Sequence, residues 1–92
     1  MYVVVCYDIS DNRRRTRLHE TLLGYGDPVQ ESVFECDLTA KQFQQMRART
    51  RRFTKKKGES IRYYLMCGAC QRRTQVEGTA LVEAGQPRDF EV

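Results

Sequence analysis

Asp8 ends an unbroken apolar run, "YVVVCYDIS" at residues 2 to 10, and is the residue with the clearest chemical potential in the chain. A carboxylate delivered to the end of a strand can hold a hard divalent cation, whose preferred ligands are carboxylate and water oxygens. Ser10 places a hydroxyl two residues further on, and Arg13, Arg14, Arg15 and Arg17 follow at once. An ion held beside those guanidiniums could polarise a phosphodiester and activate water. The plainer reading of Asp8, a turn or helix-capping residue ahead of "SDN", stays open at this level.

Two other groups invite a chemical reading. "CGAC" at 67 to 70 has half the ligands of a zinc site, but the chain has neither a second CxxC nor a histidine pair to complete it. A tight connection built on Gly68 explains the motif with less. His19, the only histidine, lies in a helical pattern with no partner acid or nucleophile at useful spacing, so it reads as a helix-surface residue. Cys6 and Cys36 fall inside apolar strand patterns, where an unpaired cysteine behaves as a small core residue.

The basic residues are clustered, so the formal net charge of +4 understates the surface. Arg47, Arg49, Arg51, Arg52, Lys55, Lys56 and Lys57 form a second group with no acid between 38 and 58, and Arg72 and Arg73 form a third. Such clusters are the electrostatic footprint of a polyanion. The candidate nucleic-acid ligands are Arg13, Arg14, Arg15, Arg17, Arg51, Arg52, Lys55, Lys56 and Lys57. A merely solvated helix face is the competing explanation.

Positioning these groups falls to a short chain. Ninety-two residues, 40% apolar and 30% charged, make one globular domain that buries a modest share of its surface and gains from a partner, so a homo-oligomer is expected. No apolar run approaches the roughly 18 residues of a membrane span. No basic leader or cleavage site precedes the first strand, so the cytoplasm is the expected location and no membrane partner is expected.

Residues 2 to 8 read as a strand covered on both sides, since Tyr2, Val4 and Cys6 on one face and Val3, Val5 and Tyr7 on the other are all apolar. Ser10 or Asp11 can cap a helix running to about 25, with Leu18, Leu22 and Tyr25 as its buried stripe. Residues 29 to 37 read as one strand. Thr39 and Gln42 form a capping box for a second helix, whose stripe is Phe43, Met46, Thr50 and Phe53 and whose lysine-rich end precedes Gly58. Strands at 60 to 67 and 72 to 78 complete the set. The arrangement that satisfies this order is a ferredoxin-like α+β sandwich, an antiparallel sheet with two helices on one face, formed by residues 1–78. A tail at 79–92 carries "DFEV", which can pair with a neighbouring sheet edge.

Two helices cover only one face of a sheet, and strand one is apolar on both. A second copy of the sheet is the economical cover, and it brings two Asp8 carboxylates toward a common two-fold axis, where a cation between them would relieve their repulsion.

The ordered set "YVVVCYDIS", an arginine-rich helix, "YG", "VQESVFE" and "IRYYLMCGACQRRTQVEG" closely resembles the CRISPR-associated protein two family, over about residues 2 to 78. The resemblance implies a ferredoxin-like homodimer in which each chain's last strand joins the partner's sheet. It also implies a metal-dependent endonuclease acting on RNA or DNA, and a role in spacer acquisition with CRISPR-associated protein one, the integrase. Asp8 matches the acid that binds Mg²⁺ or Mn²⁺ jointly with its counterpart, and Ser10 the hydroxyl beside it. Arg15 and Phe34 match positions tied to nuclease activity. Many members carry a basic residue just before the "VQ" pair, where this chain has Asp27 and Pro28.

Three further readings stand beside the enzyme. One is a non-catalytic scaffold for duplex DNA, and another a toxin-like endoribonuclease on the same fold. The third, an RNA-binding sheet of the RRM type, is disfavoured because Tyr63 and Tyr64 lie on opposite faces and the glycine-containing RNP1 pattern is missing.

Overall fold

The computed structural model describes residues 1–67, together with Arg73, Gln75 and Glu77. The alternation of the first run produces β1, Tyr2–Asp8. Asp11 caps α1, Asn12–Leu22, by accepting from the Arg14 N–H. Ser10, the other candidate cap, is engaged elsewhere. The helix stops a turn earlier than its apolar stripe predicts, and Tyr25 reaches the core from the loop beyond it.

The segment expected to form one strand at 29 to 37 is instead a hairpin. Asp27–Gln30 forms β2 and Val33–Asp37 forms β3, and the two-residue turn between them places Ser32 at φ 73. The turn carries no Asn-Gly or Gly signature of the kind that usually marks one, only the polar run Gln30, Glu31 and Ser32 between Val29 and Val33. Pro28 lies in the edge strand β2, which a residue without an N–H tolerates.

Thr39 and Gln42 make the expected capping box at the start of α2, Ala40–Thr50. A 3₁₀ turn over Arg51–Phe53 then tucks Phe53 into the core. The lysines at 55 to 57 therefore lie in a loop after the helix and not in its last turn, which carries Arg47 and Arg49. Gly58, at φ 90, lets that loop reverse into β4, Ser60–Met66. The strand expected at 72–78 lies outside the described residues apart from Arg73, Gln75 and Glu77, and the tail at 79–92 lies wholly outside them.

The sheet order is β2-β3-β1-β4, antiparallel throughout. With two helices inserted after the first and third strands, this is the expected ferredoxin-like α+β fold. Among the described residues the hairpin β2–β3 supplies two of its four strands. Val3, Val5, Tyr7, Phe34 and Cys36 face Leu18, Leu22, Met46 and Phe53 in one buried core. Burial pushes the Cys36 thiol up to about 11, so it stays protonated and inert. Cys6, on the other face, is half-buried. Thr50, fully buried, donates to the Met46 carbonyl at 2.9 Å and lies 2.6 Å from the Tyr63 hydroxyl, so the one polar member of the α2 stripe is satisfied. Among the described residues no helix is long and apolar enough to cross a membrane.

Candidate nucleic-acid interface and carboxylate site

Because side chains alternate along a strand, burying Val3, Val5 and Tyr7 against the helices leaves Val4, Cys6 and Asp8 on the opposite face. Asp8 is exposed at the strand's end, where it pairs in register with Ser60 of β4. Immediately after it the chain turns. Arg15 donates to the Ile9 carbonyl at 2.9 Å and also bonds the Asn12 side chain, so a guanidinium is fixed against the turn that follows Asp8.

The residue that organises this end of the molecule is Glu59, which the sequence did not single out. Its side chain is 3% exposed and accepts six hydrogen bonds. Arg14 supplies two, at 2.6 and 2.8 Å, in a bidentate fork. The Ser10 N–H and hydroxyl give two more, at 3.0 and 2.8 Å, and the N–H groups of Lys55 and Lys56 complete the set at 2.9 Å each. The Arg14 guanidinium and these N–H groups hold the Glu59 carboxyl far below the usual range, overriding the burial that would raise it. One carboxylate thus ties the β1–α1 turn, the first turn of α1 and the lysine loop together. The signal available in the sequence was slight: Glu59 is the first acid after the long basic stretch and stands just before a strand.

The structure sorts the basic residues. Arg14 also donates to the Phe53 carbonyl at 2.6 Å, and its side chain is only 13% exposed. Arg15 is half-buried, while Arg13, Arg17, Arg51, Arg52, Lys55, Lys56 and Lys57 are exposed. Clusters far apart in sequence meet in space, because Arg14, Arg17, Arg52, Phe53 and Lys55 line one cleft of about 260 Å³ between α1 and the 3₁₀ turn. Arg52 lies over the Phe53 ring at 4.9 Å, a cation–π contact that orients its guanidinium.

Phe34 is placed differently from its companions. It has no exposed surface and packs against Tyr7 and, edge-on, His19 at a centroid distance of 5.1 Å. From there it can influence a reaction only by setting the position of β1 and α1. His19 is accordingly half-buried against an aromatic ring rather than set on an open helix surface.

Among the described residues no three His, Cys, Asp or Glu side chains converge as a metal site. Asp8 is exposed at the end of β1 with hard oxygen donors, which suits a cation that takes few protein ligands and keeps its waters, whereas Asp37, exposed at the end of β3, is paired with the N-terminal amine at 3.7 Å.

Fold and site together define a ferredoxin-like α+β domain that presents a carboxylate at one strand end beside a cleft lined with basic side chains. The family model described as CRISPR associated protein Cas2 matches residues 1–74. The chain is 38% identical over 79 residues to CRISPR-associated endoribonuclease Cas2 1 of Chloroflexus aurantiacus, covering 85% of each. It is 41% identical over 64 residues to CRISPR-associated endonuclease Cas2 2 of Thermus thermophilus, covering 70% of this chain and 71% of that one. The crystal structure of Streptococcus pyogenes Cas2 at pH 6.5 superimposes with a TM-score of 0.75 at 34% identity, covering 85% of this chain and 100% of the other. The chain belongs to the Cas2 family.

Proposed function

We propose that this chain is a subunit of CRISPR spacer acquisition that binds nucleic acid and cleaves phosphodiesters with a divalent metal. It works as a homodimer, with each chain's last strand added to its partner's sheet, alongside the integrase, CRISPR-associated protein one. Asp8 carries the reading: it is exposed at the end of a strand otherwise built of apolar side chains, on the sheet face that the helices leave uncovered. The naming of relatives as endoribonuclease and endonuclease supports the same class of reaction.

Two copies packed through their open sheet faces bring the two Asp8 side chains together as ligands for one Mg²⁺ or Mn²⁺. When bound, that ion supplies charge stabilisation on the scissile phosphate and lowers the pKa of an attacking water. Asp8 holds the site's negative charge. Arg15 fixes the Ile9 carbonyl and so the angle at which the chain leaves β1. Ser10, with both its N–H and its hydroxyl bonded to Glu59, keeps the turn in place. Phe34 sets the strand–helix spacing from the core. The exposed arginines and lysines neutralise backbone phosphates and carry no base readout.

The test is cleavage of single-stranded RNA and of duplex DNA, with Mg²⁺, Mn²⁺ or EDTA, by wild type beside Asp8→Ala. Cleavage that needs both the metal and Asp8 is expected. The second reading, a scaffold that holds duplex DNA without cutting it, draws on the single carboxylate at Asp8 and the developed basic cleft. Duplex binding with cleavage of neither substrate would establish the scaffold instead, and equal cleavage by the variant would remove Asp8 from the reaction.

A further inference from the structure

The cleft between α1 and the 3₁₀ turn presents its cations unequally, and the inequality can be read from their partners. Arg17, Arg52 and Lys55 are exposed on its rim. Arg52 is oriented by the Phe53 ring beneath it, and Phe53, at 5% exposure, forms an apolar floor. Arg14 forms the back wall, yet every hydrogen bond its guanidinium makes among the described residues goes to the Phe53 carbonyl or to the two oxygens of Glu59, with Asp11 a further ion-pair partner at 3.9 Å. A cation whose donors are already taken by a buried carboxylate has little to offer a phosphate, since binding one would strip Glu59 of its only charged partner among the described residues and leave it the donors of Ser10, Lys55 and Lys56 alone.

Resting on the nucleic-acid-binding reading above, we propose that this cleft is a seat for a backbone phosphate of duplex DNA. Arg17, Arg52 and Lys55 make the contact, and Arg14 is withheld from it by Glu59. The Arg14–Glu59 pair is a strut. It joins the Arg17-bearing helix to the lysine loop through the N–H groups of Lys55 and Lys56, so the three contacting cations converge without Arg14 taking part. The inference divides basic residues that look alike in sequence into ligands and framework.

Counting released counterions tests it directly, because log K falls with log[salt] in proportion to the phosphates neutralised. Binding of a labelled short duplex is followed by anisotropy across a salt series for the full chain and its variants. Arg17→Ala, Arg52→Ala and Lys55→Ala are each expected to reduce the slope by about 0.9. Arg14→Ala is expected to lower affinity and thermal stability but leave the slope within error of wild type, as is Lys41→Ala, which removes an exposed lysine on α2 away from the cleft. Glu59→Gln, which removes the negative charge that neutralises Arg14, should raise the slope by about 0.9. If Glu59→Gln fails to fold, Arg14→Ala decides alone.

A slope loss in Arg14→Ala equal to that in Arg17→Ala would overturn the proposal while leaving the interface standing. Unchanged slopes in all three rim variants, with wild type still binding, would remove the cleft from the interface. Failure of wild type to bind any duplex would remove the reading on which both rest. A slope loss seen only with single-stranded RNA would overturn the duplex assignment.

Discussion

Asp8 and Glu59 stand at the same end of the sheet, one closing β1 and the other preceding the Ser60 that pairs with Asp8. Their surroundings are opposite. Asp8 is exposed, at the end of the open sheet face, whereas the Glu59 side chain is 3% exposed and receives six protein donors. A carboxylate whose lone pairs are filled from within holds a structure together, and one that faces outward is available to a ligand. Two acids of similar chemistry therefore have different jobs, and hydrogen bonding assigns them.

Exchanging these roles by mutation is the strongest way to break the comparison. Asp8→Ala should lower metal-dependent cleavage by roughly 10² to 10³, the several kcal/mol that a metal site supplies, while changing stability by no more than about 0.5 kcal/mol. Rate assays and a thermal melt on the same preparation decide this. A large fall in melting temperature would make Asp8 a second framework residue.

Phe34→Ala places a third member of the expected catalytic set on the Glu59 side of the comparison. It should destabilise by about 3–5 kcal/mol, as large-to-small changes at fully buried aromatics do, whereas Phe34→Leu should cost less and retain cleavage by the folded fraction. Loss of cleavage in a Phe34→Leu protein that melts like wild type would move Phe34 back toward the chemistry.

Glu59 has a pH signature. Its folded pKa is depressed, so the stability it contributes is fully present above the unfolded value of about 4.3 and is lost as pH falls below that value toward the folded one. The gap in melting temperature between wild type and Glu59→Gln should be constant from pH 5 to 7, by about one unit's margin over that value, and should narrow in stronger acid. A gap that widens on acidification would mean the carboxyl is not ionised in the folded chain. The smallest effect is expected at a cap far from both acids: Thr39→Ala should cost about 1 kcal/mol of stability and leave cleavage unchanged.

Much of this was legible before any coordinates. The two-sided apolar character of residues 2 to 8, the Thr39–Gln42 box and the Leu18–Leu22 stripe are local patterns, and local patterns announce their elements. The hairpin was hidden because its turn, Glu31 and Ser32, has neither glycine nor asparagine, and the polar run from Gln30 to Ser32 is too short to stand out as a loop. Only the pairing of β2 with β3 reveals that Ser32 adopts a left-handed conformation. The end of α2 was misread because a lysine-rich segment is as compatible with a last helical turn as with a loop. Burial of Phe53 by the 3₁₀ turn settled it.

By itself the sequence determined the fold class, the acid at the end of the first strand and the clustering of basic residues. Composition and periodicity act along the chain, and each of these properties is carried by neighbouring residues. Which cations face outward was decided only by tertiary structure. Arg14 and Arg17 are three residues apart on one helix and alike in type, but Glu59, 45 residues beyond Arg14, takes the donors of one and leaves the other exposed. A salt bridge across that separation exists only when the sheet and helices have packed, and with it the difference between framework and ligand.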